Sequence, residues 1–241
     1  MTTSAVVACA RLVAECAEGG TRCTTMRSSP PVTWRTTPDG VYLVGSAAGP
    51  LGGDRLHLDV RVEAGASLVV RSAAATIALP GVTGAPSRCD LDITVAAGAT
   101  LWWLPEPLLL VERCDHRMRT RVALGAGACL VLRDEVVLGR HDEPSGSLWQ
   151  RMHVDVAGEP VLRSDQYAGP RWPGADGPAG NGGARAVAQT LVVGTARARG
   201  AAFQSATGVR AATMALRGDA VVVSEVMSSP GLLGTTRPSP R

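Results

Sequence analysis

From Leu56 to Val62 the chain reads Leu-His-Leu-Asp-Val-Arg-Val, and from Leu91 to Val95 it reads Leu-Asp-Ile-Thr-Val. An apolar residue at every second position marks a half-buried strand. A third stretch, Arg117-Met118-Arg119-Thr120-Arg121-Val122, alternates bases with Met, Thr and Val. Each stretch runs into a similar unit: "VEAGASLVV" from Val62, "VAAGATLWW" from Val95 and "LGAGACLVL" from Leu124. Gly65, Gly98 and Gly127 fall 33 and then 29 residues apart, so each unit reads as strand, glycine turn, strand. Strands returning at near-constant spacing, with hardly any helical period, predict a mainly β fold. Two architectures fit: stacked β-layers, each too thin to bury its apolar face alone, or a plain β-sandwich with similar hairpins.

Elsewhere the pattern is less regular. Val136–Leu138 and Leu148–Val156 are predicted strands joined by a polar turn, and residues 167–186, rich in Gly, Pro, Asp and Asn, form a long loop. "VAQTLVVGTAR" and "RAATMALRGDAVVVSEV" return to strand-like or mixed apolar runs, and the tail "GLLGTTRPSPR" is expected to be disordered. The chain divides into a single β domain over 1–217 and a C-terminal segment, 218–241, with a strand-like part and a Pro-rich tail.

Composition narrows the function classes. With one Phe, two Tyr and five Trp in 241 residues, the core must be built from Val, Leu and Ala. A net charge of +3 and scarce stacking aromatics argue against nucleic acid. No apolar run reaches the length of a membrane helix. The opening "SAVVACARLVAECAEG" lacks the basic start and unbroken apolar run of a signal peptide, so a cytoplasmic protein is expected. Six cysteines (9, 16, 23, 89, 114 and 129) include no C-x2-C pair and are expected to act as small buried hydrophobes.

Candidate chemistry is sparse. "GPLGGDRLHLDV", Gly49 to Val60, has the glycines of a phosphate loop but leads into a strand, and the chain contains no lysine. Its glycines are expected to serve a tight turn. In "ERCDHRMR", Glu112, Cys114 and His116 would share one face of a strand and could hold a borderline metal such as nickel or zinc. With His141 they define one candidate activity, a small metal-dependent hydrolase on a β scaffold. An exported β-repeat binding module is another. Glu135 lies between apolar strand residues and, if buried, needs a partner such as Arg133 or Arg140. Of the adjacent Trp102 and Trp103, one should face the core and the other outward, with Pro105 and Pro107 ending the strand.

Taken in order, "GPLGGDRLHLDVRVEAGASLVVRSAAAT", "GATLWWLPEPLLL" and "EVVLGR" resemble the urease accessory protein UreD (UreH) family. The marks are Gly52, Gly53 and Asp54, then Trp103, Leu104 and Pro105, then Gly139 and Arg140. Trp102 stands where the family usually has an acidic residue, and "HDEPSGS" replaces a shorter spacer with Gly-Glu, leaving Glu106, Asp142 and Glu143 as the nearest carboxylates. The resemblance implies a mainly β, solenoid-like stack of strand layers with one or two short helices. It implies a nonenzymatic scaffold with no cofactor of its own, binding UreF directly and the GTPase UreG through it. Docked on apo-urease, the assembly would pass on transient Ni²⁺ while UreG hydrolyses GTP. On this reading no tight metal site is expected, and Asp54, Glu135, Cys114 and His116 are candidate polar stations along the nickel path.

Overall fold

The structure, a computed structural model, describes residues 5–194 and 207–235. The chain opens with β1 (Val7–Ala17), β2 (Gly20–Arg27), β3 (Val32–Thr37) and β4 (Gly40–Gly45). It then winds through β5 (Arg55–Val62), β6 (Ser67–Ser72), β7 (Thr76–Ala78), β8 (Ser87–Val95), β9 (Thr100–Leu104), β10 (Leu108–Leu110), β11 (Asp115–Leu124) and β12 (Cys129–Leu138). β1, β5, β8 and β11 lie side by side in parallel, and β4, β6, β9 and β12 do the same in a second sheet. Successive coils therefore stack as a solenoid, which decides between the two architectures left open by the sequence.

The internal repeat is the coil itself. Leu68 pairs with Leu101 and Cys129 with Thr100, so the strands after the glycine turns align in the same register as Val62, Val95 and Leu124 before them. Gly65, Gly98 and Gly127 turn each coil with φ of +74°, +68° and +67°, a region that a Cβ makes costly. The alternation expected from the sequence is realised. Leu56, Leu58, Val60 and Val62 join Leu91, Ile93, Val95, Leu101, Leu130 and Leu132 in one core between the sheets, while Arg55, Asp59 and Arg61 point away from it.

Antiparallel strands close both ends of the stack and cover ladder edges that would otherwise invite pairing. β2 lies on β1 and β3 on β4. At the far end β13 (Ser147–Val156) follows β11 in parallel, and β14 (Glu159–Ala168) pairs antiparallel on β13. In the other sheet β15 (Ala186–Val193), β17 (Ala220–Met227) and β16 (Val209–Ala215) extend β12 in antiparallel order.

Several expectations need correction. The strand placed at Val136–Leu138 is the end of a ten-residue strand, β12. A 3-10 helix over Pro230–Thr235 takes in the first five residues of the tail expected to be disordered, with Leu233 buried against Ala186, Ala188 and Met227; the rest of the tail lies outside the described residues, as do Thr195–Arg197 of "VAQTLVVGTAR". Cys114 is the one cysteine buried as a whole residue; Cys9 is exposed because its position on β1 faces away from the core, and Cys16, of core-facing parity, is exposed because it lies at the uncovered end of the strand. Trp103 faces the core as expected of one of the pair. Trp102 faces the opposite way but is also buried, under Leu104, Val131 and Val192.

The glycine segment serves backbone contact. A Cβ on Gly52 would lie 2.4 Å from the Gly81 amide nitrogen and 2.7 Å from the Ala85 carbonyl oxygen. The Gly52 N–H donates to the Leu79 carbonyl at 3.0 Å. Gly52→Ala is therefore expected to destabilise by about 1–3 kcal/mol, the usual cost of overpacking rigid backbone. Gly19→Ala, in open space but at positive φ, should cost about 1 kcal/mol. Urea-unfolding midpoints of the two variants test this ordering, and equal midpoints would contradict it.

Candidate functional site

β12 runs unbroken for ten residues, whereas its counterparts in the preceding coils are each split. β6 and β7 are separated by residues 73–75, and β9 and β10 by Pro105-Glu106-Pro107, where neither proline can donate to a ladder. β7, β10 and Val136–Leu138 resume the parallel ladder beyond the break. A cavity of about 410 Å³ opens at these interruptions, lined by Ala73, Ala74, Ala75, Pro105 and Glu106 from the breaks themselves. It reaches exposed Ala47, Ala48 and Ile77 on one side, and buried His116, Asp134 and Gln150 between the sheets.

Strand parity puts the polar groups there. On β12, Leu130 and Leu132 face the core, so Asp134, two residues on, faces it too. On β13, Gln150 lies between Leu148 and Met152 on the buried face. The Gln150 Nε2 donates to Asp134 Oδ2 at 2.6 Å, a hydrogen bond that ties the two sheets together through the core. Burial pushes the Asp134 carboxyl up to about 7, against the lowering effect of the Gln150 bond. On β11, His116 Nδ1 and Ser87 Oγ are 2.8 Å apart, and Ser87 Oγ also lies 3.4 Å from the Asp115 carbonyl. Donation from Nδ1–H to Ser87 and from Ser87 to that carbonyl satisfies both groups and leaves a lone pair on Nε2. Burial pulls the His116 imidazole down to about 4, so it is neutral near pH 7. The Cys89 thiol, also on the wall, is pushed up to about 12 by burial and by Asp90 and Asp134. One cavity thus carries nitrogen, oxygen and sulfur donors.

The other expected residues have different surroundings. Asp54 is buried and holds backbone: Oδ1 accepts from Val6 N–H at 2.8 Å and Oδ2 from Leu51 N–H at 2.9 Å, joining the lead-in to β1 to the turn before β5. This explains Gly52, Gly53 and Asp54 as a unit. Glu135 has the opposite parity to Asp134 and accepts from Arg133 Nε at 2.7 Å. Arg133 Nη1 also donates to Glu225 at 2.6 Å and to Thr190 at 2.6 Å, and all four residues are buried. Arg133 is the partner expected for Glu135; Arg140 instead donates its backbone N–H to Glu143 Oε2 at 3.1 Å. Gly139 and Arg140 form a turn whose glycine Cβ would meet the Glu143 carbonyl at 2.4 Å. Glu106 lies on the cavity wall, its N–H donating to Ser72 Oγ at 2.7 Å, while Asp142 is exposed beside His141. Leu104 faces outward with Trp102, and Pro105 lines the cavity.

The proposed Glu112, Cys114 and His116 face does not form. β11 begins only at Asp115; Glu112 is exposed in the preceding turn, where Arg113 has φ +65°, and Cys114 packs with Leu110, Leu138 and Leu148. Burial, Asp115 and Glu143 push that thiol up to about 11. His141 is almost fully exposed. Among the described residues no three His, Cys, Asp or Glu side chains are grouped closely enough to hold a metal ion, which removes the ligand set of the hydrolase reading. No helix among them is long and apolar enough to cross a membrane.

Comparison with known proteins gives one consistent result. The family described as UreD urease accessory protein matches residues 6–230. Urease accessory protein UreD 3 of Streptomyces griseus is 42% identical over 238 residues, covering 95% of this chain and 93% of its own length. UreD of Parafrankia sp. is 41% identical over 250 residues, covering 93% and 80%, and UreD of Frankia alni is 44% identical over 200 residues, covering 76% and 67%. With a solenoid built on the repeat, the glycine turns and the split strands described above, the chain belongs to the UreD family of urease accessory proteins.

Proposed function

We propose that the protein is a nonenzymatic, cytoplasmic maturation factor that binds UreF directly and UreG through it, and helps GTP-dependent delivery of Ni²⁺ into apo-urease. The observation carrying this reading is the family match across residues 6–230. Nickel is cargo here, and GTP is bound by UreG.

The cavity supports a role in passing the ion. A carrier must hold Ni²⁺ weakly, since a closed, high-affinity set of ligands would trap it. Cys89 and His116 from the first sheet and Asp134 from the second each offer one donor to the cavity, with Gln150 already engaged by Asp134. Of the four stations named from sequence, His116 keeps the role best. Asp54, Glu135 and Cys114 are engaged by backbone amides, by Arg133 and by apolar packing.

Co-expression with UreF and UreG from the same source, with pull-down on a tag at Met1, tests the scaffold. Both partners should co-elute, and the complex should activate apo-urease only with nickel and GTP. A chain that captures neither partner would overturn the proposal. His116→Ala combined with Asp134→Asn should leave co-elution intact and lower activation at limiting nickel by about tenfold, the scale of a lost ligand contact. Unchanged activation would remove the cavity from the nickel route while leaving the scaffold reading in place.

A further inference from the structure

On the outer face of the first sheet, the side opposite the cavity, three side chains from three parallel strands form a chain of contacts. Cys9 of β1 stands directly beside His57 of β5 in the ladder, and Cys9 Sγ lies 3.7 Å from His57 Nδ1. The other ring nitrogen, Nε2, lies 2.8 Å from Asp92 Oδ2 on β8. Asp92 is in turn approached by Arg121 Nη1 at 3.5 Å from β11. Cys9 is exposed, and His57 is 43% and Asp92 36% exposed, so the group is open to solvent and to a visiting ion.

From this geometry we propose that Cys9 and His57 form a surface docking site for a borderline divalent cation, Ni²⁺ or Zn²⁺, with Asp92 orienting the imidazole. The proposal goes beyond the maturation reading and stands on this geometry alone. A tetrahedral Zn²⁺ bound at its usual metal–sulfur and metal–nitrogen lengths places those ligands roughly 3.6 Å apart, and a square-planar Ni²⁺ would draw adjacent ligands closer, to about 3 Å. The observed 3.7 Å separation needs almost no adjustment for the tetrahedral ion. Rigid register between parallel strands sets that separation before any ion arrives.

The second nitrogen carries the arrangement that metal-binding histidines usually show. Donation of Nε2–H to a carboxylate fixes the tautomer, leaves the Nδ1 lone pair toward the ion and strengthens the ligand. On binding, Cys9 loses its thiol proton to solvent and becomes a thiolate, His57 stays neutral, and the ion takes its remaining positions from water or from a partner's donors. Four guanidiniums on this face have carboxylates beside them: Arg11 and Arg61 share Asp59, Arg119 lies against Asp90, and Arg121 against Asp92. Two protein ligands make a weak and exchangeable site, as suits an entry or hand-over point.

The test uses the full chain, free of any histidine tag and co-purified with UreF where solubility requires it. Titration with Co²⁺, a spectroscopic substitute, and then with Ni²⁺ should produce a thiolate-to-metal charge-transfer band. Cys9→Ser should abolish the band. His57→Asn should weaken binding at least tenfold, and Asp92→Asn about tenfold, the range for loss of an orienting carboxylate. All three positions are exposed or partly exposed, so the variants should fold. A band that persists in Cys9→Ser, or no band in the native chain, would overturn the site. Since the readout is metal binding, either result is independent of urease activation.

Discussion

Arg133→Met is expected to destabilise the protein by about 3–5 kcal/mol, the usual cost of leaving buried charge without its partner. One guanidinium serves two carboxylates, Glu135 at 2.7 Å and Glu225 at 2.6 Å, with all three side chains at most 2% exposed. Removing the arginine leaves two carboxylates facing each other out of reach of water, and each must take up a proton or bear the desolvation cost. Thr190 also loses its donor. Glu225→Gln should cost less than half as much, because Arg133 and Glu135 remain as a one-to-one pair. The informative variant combines Arg133→Met with Glu135→Leu and Glu225→Met. Replacing a whole buried ion cluster with apolar groups of similar size is often neutral, so most of the lost stability should return. Urea-unfolding midpoints across the three variants decide it. A single arginine variant as stable as the parent would show that the carboxylates are not confined as the geometry indicates.

The cluster also shows what a sequence can and cannot disclose here. The repeat was fully legible, because glycine turns and period-two alternation are local and the solenoid stacks equivalent positions on each other. Gly65, Gly98 and Gly127 needed no tertiary knowledge. The cavity was not legible, because it arises from a difference between coils: two strands broken at residues 73–75 and 105–107 beside one that continues. The polar wall was half legible. Glu135 drew attention as an acid among apolar residues, yet the face-determining neighbours are Leu130 and Leu132. Counting in twos from them reaches Asp134. A one-residue step on a strand moves a side chain to the other face, here from the core-facing side of β12 to the arginine cluster. The Glu112, Cys114 and His116 grouping fails for a related reason: β11 begins at Asp115, three residues after Glu112, and a turn has no period. Cys9 and His57 are 48 residues apart, and only the parallel register of β1 on β5 brings them together.

The pH dependence of stability should carry the signature of the cavity wall in two opposing parts. Asp134 has its folded-state value raised from 3.8 to about 7 by burial, so between those values the folded chain holds a proton that the unfolded chain has lost. Its contribution is complete below about pH 4 and is lost as pH rises to about 7, with a slope of up to about 1.4 kcal/mol per pH unit. The full swing is on the order of 4 kcal/mol. His116 is lowered from 6.5 to about 4, also by burial, so in that window the unfolded chain holds the extra proton. Its effect has the opposite sign: stability rises with pH from about 4 to 6.5 and is then constant. In the native protein the two slopes should largely cancel below pH 6.5, leaving a shallow fall toward 7. Asp134→Asn keeps an acceptor for Gln150 Nε2 but removes the titration, so it should uncover the rising limb of His116 and make the variant most stable, relative to its parent, at neutral pH. His116→Asn should uncover the falling limb of Asp134. Unfolding free energies measured at steps between about pH 4.5 and 7.5, taken as differences between each variant and the parent, cancel the background of surface carboxylates. Difference profiles that stay flat for both variants would mean that water reaches the inner end of the cavity freely enough to solvate the charge on Asp134.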